Sequence, residues 1–362
     1  MEEYNYTLIV FASYFVGSVI FSIIINFIFL RFAQNLGIRA KLETANRWSL
    51  YQKPSFGGIS FYIIFLLSFT SFAIFFSSVD AFPNKIMFGL IAATALAFLM
   101  GLADDAFDTK PFLKLGIQIL SGAILIYTGT YIQLFEHEWL NYVLTVFWVV
   151  GIMNSINMLD NMDAVTAVVS IIILMTTIII MTLSGNFINI YYFTLLGVLA
   201  SLIGFLFFNW HPSKLFMGDT GSQFLGVFLA FVGIRFFWNA SWAEISNPIA
   251  GNFVLIMAVF ALPLIDTSVV VINRILRGQS PMVGGKDHTT HSLTHAGFND
   301  RQVALIFGVI SSLFSLLVIY GIAFDNSYQE FLEVGIVGLF IIVFSIFFIL
   351  NRSYVKSNLK NA

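Results

Sequence analysis

Lys85-Ile-Met-Phe-Gly-Leu-Ile-Ala-Ala-Thr-Ala-Leu-Ala-Phe-Leu-Met-Gly-Leu-Ala-Asp-Asp-Ala-Phe-Asp108 decides what kind of protein this is. Its apolar run, roughly residues 84–102, is long enough to cross a bilayer as a helix. It closes on three carboxylates, Asp104, Asp105 and Asp108. Helical spacing puts 104 and 108 on one face, with 105 and 108 also neighbours. Three like charges repel one another, and the negative end of a helix dipole adds to the repulsion. A cation is therefore expected beside them, and a hard, oxygen-seeking ion such as Mg²⁺ is the natural choice.

The rest of the chain repeats the first part of this pattern. Of 362 residues, 59% are hydrophobic and 10% charged, with a mean hydropathy of +0.90. Soluble domains carry about 25% charged residues. That composition excludes an ordinary soluble enzyme; no nucleic-acid partner is expected, and the net charge of −2 says little, because in a membrane protein the placement of charge matters more than its total. Apolar stretches recur along the whole length, predicting an all-α, polytopic membrane protein forming one domain over 1–362. Eleven spans are expected, near 6–30, 58–79, 84–102, 112–131, 138–153, 165–184, 190–208, 221–238, 251–273, 303–323 and 332–350. The first opens on Glu2 and Glu3, lacks a basic leader and is too long for a cleavable signal.

Lysine and arginine orient these spans. With the N-terminus outside, 15 of the 17 basic residues fall on the inner side and only Lys85 and Arg235 outside. The inner connections, about 31–57, 103–111, 154–164, 209–220 and 274–302 with a tail at 351–362, also hold the clustered Asn, Asp and His residues. Chemistry is therefore expected on the cytoplasmic face.

Asn154, Asn157, Asp160 and Asp163 follow one another at intervals of three, so a helical or 3₁₀ path would align their oxygens for a metal, a ribose or a base edge. Asn209-Trp-His211-Pro-Ser-Lys214-Leu-Phe216-Met-Gly218-Asp219-Thr220-Gly221-Ser222 runs into the next span, where capping side chains favour an anion or an ion with its phosphate. Arg274, Arg277, Lys286, Asp287, His288, His291 and His295 gather in the last long connection. The histidine spacing allows zinc, but no Cys or acidic triad accompanies it, and phosphate contact suits the basic company better. Lys53-Pro54-Ser-Phe-Gly57-Gly58 opens the second span.

Taken in order, these clusters resemble the polyprenyl-phosphate N-acetylhexosamine-1-phosphate transferases. Asp104-Asp105-x-x-Asp108 is similar to their DDxxD element, Asn154 to Asp163 to NxxNxxDGxDGL, and Asn209 to Asp219 to NxHPAKxFMGDxGS. Asp266-Thr267 with Arg274, Arg277, Gly278, Ser280 and Pro281 resembles PLxDT…RRxxRGxSP, and Pro54-x-x-Gly57-Gly58 matches PxxGG. Three aspartates in place of DDxxK point to the branch that starts surface polysaccharides. Departures are His288-Thr-Thr-His291 for HxHH, Asn161 and Ala164 where the family has glycines, and Ser55 for an arginine.

The resemblance implies transfer of HexNAc-1-phosphate, GlcNAc-1-phosphate first, from a UDP-HexNAc to undecaprenyl phosphate with release of UMP. It implies a multi-pass protein of the bacterial inner membrane, with membrane lipid and a second copy of the chain as partners and Mg²⁺ or Mn²⁺ as cofactor. On this reading Asp219 with Asn157 or Asp160 holds the metal. Asp104, Asp105, Asp160 and Asp163 are the catalytic carboxylates, and Asp104, Asp105 and Lys53 face the lipid phosphate. Asn154, Asn209, Phe216, Lys214, Arg277, His288 and His291 contact the nucleotide sugar. The alternatives are a phospho-MurNAc-pentapeptide transferase and, from another class, a cation-coupled transporter. Acids at span ends and the absence of an internal repeat argue against the transporter.

Overall fold

A bilayer offers no water to unpaired backbone groups, so each apolar run must satisfy its own N–H and C=O groups, and it does so as a helix. The computed structural model describes residues 2–35, 53–76, 84–240, 248–280, 285, 287–323 and 329–361, and these contain helices and turns but no strand. The order is α1 (Glu2–Asn35), α2 (Gly57–Phe75), α3 (Lys85–Phe107), α4 (Pro111–Tyr127), α5 (Glu138–Leu159), α6 (Val165–Leu183), α7 (Ile190–Asn209) and α8 (Gly218–Gly233). A π-helical turn (Ile234–Trp238) extends α8, followed by α9 (Pro248–Val259), α10 (Ala261–Leu276), α11 (Thr289–His295), α12 (Asp300–Ala323) and α13 (Gln329–Asn361).

Among the described residues, nine helices are long and apolar enough to span a membrane. A tenth span exists if α9 and α10, bent by 83° at their junction, count as one. The bend falls where Pro263 cannot donate to the carbonyl of Val259, so α10 starts afresh with the proline in its first turn. The remaining expected span is α4, which at 17 residues is about 26 Å long and short for a bilayer. Each of the eleven predicted spans thus has a helix.

Several helices outrun their predicted ends. α3 continues to Phe107 and α5 to Leu159, so Asp104, Asp105, Asn154 and Asn157 are helical rather than in loops. The tail expected at 351–362 is the last part of α13. Arg39, Lys41, Arg47, Lys286 and Pro281 lie outside the described residues.

α8 is the central helix. In its most apolar stretch 94% of residues are buried, against 17% in α13, and it packs on α2, α3 and α5. Glycines permit this crossing: a Cβ on Gly58 would lie 2.2 Å from the backbone N of Gly221, and one on Gly101 2.3 Å from the carbonyl O of Asp219. Further along α8, Phe224 and Phe228 pack against Phe65 of α2, and Trp148 of α5 donates to the Ala230 carbonyl. The starts of α2, α4, α8 and α12 and the ends of α3, α5, α7 and α10 meet at one end of the bundle.

Candidate active site

The polar centre forms where α3, α4, α5 and α8 converge. Lys114, in the first turn of α4, places its Nζ 3.2 Å from Asp104, 3.5 Å from Asp219 and 3.3 Å from Oδ1 of Asn157. Asn157 Nδ2 donates to Asp219 and, at 2.8 Å, to Ser222 Oγ. Asp104 also accepts from the backbone N–H of Thr109 at 2.8 Å and from its hydroxyl. Two carboxylates and one amide oxygen therefore surround one ammonium, leaving a formal charge of −1. Hard oxygen donors with surplus negative charge are what Mg²⁺ selects, so this donor set fits such an ion. Asp104, Asp219 and Asn157, singled out in the sequence, thus come together in the structure. Lys114 was legible only as one more inner basic residue.

Asp105 turns the other way. Its Oδ1 accepts from Asp219 N–H at 3.0 Å, and its Oδ2 from Thr220 N–H at 2.9 Å and Thr220 Oγ1 at 2.7 Å. It thereby caps the positive first turn of α8 from a neighbouring helix. The sequence expected a part in catalysis and lipid-phosphate contact for Asp105; the contact the structure gives it is this cap. Gly218 makes the approach possible, at φ +71°, with the Asp105 carboxylate 2.6 Å from where a Cβ would sit. Asp108 is exposed and caps the end of α3 in the left-handed region, φ 51°, its N–H donating to the Asp104 carbonyl at 2.9 Å.

The ladder of Asn154, Asn157, Asp160 and Asp163 is not one row, because α5 stops at Leu159. Asp160 is the residue at which α5 ends. Asn154, expected from the sequence at the nucleotide, exchanges hydrogen bonds with Gln118 of α4, at 2.8 and 3.3 Å. Asp163 is buried and grips the 211–213 turn: it accepts from Ser213 N–H at 3.0 Å and Ser213 Oγ at 2.6 Å, and pairs with His211 Nδ1 at 2.9 Å. Lys53 lies 3.6 Å away. Burial pushes the Asp163 carboxyl up, but the two Ser213 bonds, with Lys53 and His211, outweigh it and hold it below the usual range. The sequence expected a catalytic part for Asp163; in the structure its contacts anchor this loop. His211 also reaches Asp300 at 3.4 Å, and its carbonyl accepts from Arg301, tying α12 to this turn.

Asn209 is likewise an anchor. Almost wholly buried, it accepts from Ala164 N–H at 3.0 Å and donates to the Leu215 carbonyl at 2.9 Å, so both ends of its amide are engaged at the position where the sequence expected a nucleotide contact. The ring of Phe216 remains half-buried, with Lys53 Nζ 5.1 Å from its centroid. Lys53 Nζ also donates to Ser213 Oγ at 2.8 Å, so it sits between Phe216, Ser213 and Asp163. Lys214 is exposed. The Pro54-x-x-Gly57-Gly58 element runs beside the same segment, with Phe216 N–H donating to Pro54 O, Gly57 N–H to Phe216 O and Gly58 N–H to Met217 O.

The third cluster sits on α10 and α11. Arg274 donates twice to Asp287, at 2.6 and 3.0 Å, and Arg277 once, at 2.6 Å. Burial raises the Asp287 carboxyl, but the bonds and charge of Arg274, then Arg277, bring it down to about 2. Buried Asp266 accepts from Thr289 N–H at 2.9 Å and from its hydroxyl at 2.5 Å, and meets His288 Nδ1 at 3.1 Å, so His288 offers only Nε2 to a ligand. His291 is buried, its ring 6.1 Å from that of His288. Thr290 Oγ1 donates to Asn161 at 2.6 Å and joins this cluster to the end of α5.

The model of glycosyl transferase family 4 matches residues 87–237, which carry Asp104, Lys114, Asn157 and Asp219. Over 316 residues, 84% of this chain and 83% of the other, the chain is 30% identical to a Bacillus subtilis protein named probable undecaprenyl-phosphate N-acetylglucosaminyl 1-phosphate transferase. The chain belongs to glycosyl transferase family 4. This family 4 transferase is also 25% identical, over 72% of each chain, to decaprenyl-phosphate N-acetylglucosaminephosphotransferase of Mycolicibacterium smegmatis. It is 30% identical to a phospho-N-acetylmuramoyl-pentapeptide-transferase of Streptococcus agalactiae, but over 50% of this chain and 59% of the other.

Proposed function

We propose that this family 4 transferase moves HexNAc-1-phosphate, in the first instance GlcNAc-1-phosphate, from UDP-HexNAc to a polyprenyl phosphate, undecaprenyl phosphate being the expected acceptor. The observation that carries this reading is the convergence of Asp104, Asn157 and Asp219 on Lys114 at the mouth of a membrane bundle. An acceptor confined to the bilayer and a soluble diphosphate donor can meet only at such a boundary. An oxygen of the lipid phosphate attacks the phosphorus that bears the sugar. The bond from that phosphorus to the bridging oxygen breaks, and UMP leaves with the oxygen and its electron pair.

Meeting of two phosphates calls for charge neutralisation more than for a strong base. Mg²⁺, held by Asp219 and Asn157 with Asp104 alongside, would neutralise the donor diphosphate. Lys114 adds a fixed positive charge at the same point. Asp104 orients the lipid phosphate, Phe216 with Lys53 offers a stacking surface for uridine, and His288 Nε2 and Arg277 border the sugar-phosphate side. The basic residues favour a cytoplasmic active face, with the N-terminus outside and the chain in the bacterial inner membrane. Fuller coverage of the N-acetylglucosaminyl relatives supports GlcNAc over the muramoyl-pentapeptide donor.

The test is UMP release by the purified protein given undecaprenyl phosphate, Mg²⁺ and UDP-GlcNAc, with EDTA and UDP-MurNAc-pentapeptide arms. Metal-dependent UMP and a GlcNAc-diphospho-lipid are expected. Turnover with the muramoyl donor alone would move the protein to the other branch, and no turnover with any UDP-sugar would overturn the reading.

A further inference from the structure

One helical turn deeper than the polar centre lies a second set of polar side chains, bonded to one another. Gln118 stands four residues after Lys114 on α4, Asn154 three before Asn157 on α5, and Gln223 four after Asp219 on α8. Gln118 Nε2 donates to Asn154 Oδ1 at 3.3 Å and to Gln223 Oε1 at 3.1 Å, while Gln118 Oε1 accepts from Asn154 Nδ2 at 2.8 Å. Gln118 and Gln223 are buried within the bundle. Uncharged amides at this depth are costly unless bonded, and bonded they hold strongly, because no water competes.

α4 depends on them. No residue from Pro111 to Ile117 is buried, and the first buried position of the helix is Gln118, followed by Ser121, Gly122 and Leu125. The half of α4 that carries Lys114 therefore has little apolar packing to stop it sliding along its axis. We infer that Gln118, Asn154 and Gln223 form an amide tier that sets the axial register of α4, α5 and α8 and so positions Lys114, Asn157 and Asp219. Gln118 is a positioning residue: it acts on the reacting groups through Lys114.

The inference rests on the transferase reading for its activity measurement, and a second measurement is independent of it. With Gln118→Met, a side chain of similar length without the bonds, kcat falls about ten- to a hundredfold, the range a displacement near 1 Å produces, while KM for UDP-GlcNAc stays within about threefold. A folded Gln118→Met protein with wild-type kcat overturns the inference. Unfolding midpoints of the wild type, Gln118→Met, Asn157→Ala and the double variant supply the second arm. The drop caused by Asn157→Ala shrinks at least twofold in the Gln118→Met background if the tier sets the geometry of the centre; equal drops in the two backgrounds overturn it.

If Gln118→Met fails to fold, the fully apolar Gln118→Met/Asn154→Leu/Gln223→Met protein replaces it in both arms, since removing all partners together leaves no orphaned amide. A wild type that releases no UMP would overturn the proposed function alone, leaving the unfolding cycle to decide the tier.

Discussion

Asp104 and Asp105 are adjacent, yet about 100° apart around α3, and that rotation separates their tasks. Asp104 faces Lys114, while Asp105 faces the first turn of α8. Their substitutions should therefore differ in kind. Asp219→Asn or Asp104→Asn leaves the protein expressed in the membrane and abolishes UMP release. Lys114→Met lowers kcat by about 10²–10³, as loss of one preorganised charge does; an activity within tenfold of wild type would remove Lys114 from the centre. Asp105→Ala acts first on stability, costing the roughly 0.5–2 kcal/mol of a lost cap, seen as a lower unfolding midpoint in detergent.

At the scale of elements, the turn between α5 and α6 decides how the site is assembled. Ala164 sits there at φ 66°, a left-handed backbone that costs an L-residue roughly 1–2 kcal/mol, at a position where the family motif has glycine. Its N–H is held by Asn209, so the conformation persists despite the strain. Ala164→Gly should raise the unfolding midpoint, with a gain of up to about 1 kcal/mol after the added freedom of the unfolded chain is subtracted. A lower midpoint would show that the methyl group packs better than the backbone suffers. The family spacing made this turn readable as a motif, but periodicity alone did not show that α5 ends at Leu159 and parts Asp163 from Asn157.

The whole molecule adds the boundary at which two substrates of opposite solubility meet. Because the chain has no cysteine, its orientation can be measured with single introduced thiols. Lys110→Cys and Glu136→Cys both lie at exposed positions, at opposite ends of α4 and its following turn. In intact cells an impermeant maleimide should label the second and spare the first; the reverse pattern would invert the proposed topology.

How much of this was legible follows from which forces are local. Span length, apolar content and the bias of basic residues are properties of short segments, so the sequence by itself determined an all-helical membrane bundle, its eleven apolar runs and the gathering of the polar clusters at span ends. Asp104, Asn157 and Asp219 were legible as candidates too, because their motifs keep a regular spacing. The partner each side chain meets was not, because that depends on helix rotation and on contacts across long stretches of chain. Only the tertiary structure separated Asp104 from Asp105, turned Asp163 and Asn209 into anchors, and brought Lys114 and Gln118 of an unremarked short helix to the centre. Burial decides those roles: a polar group in the bundle must find a partner, and the fold alone says which one is within reach.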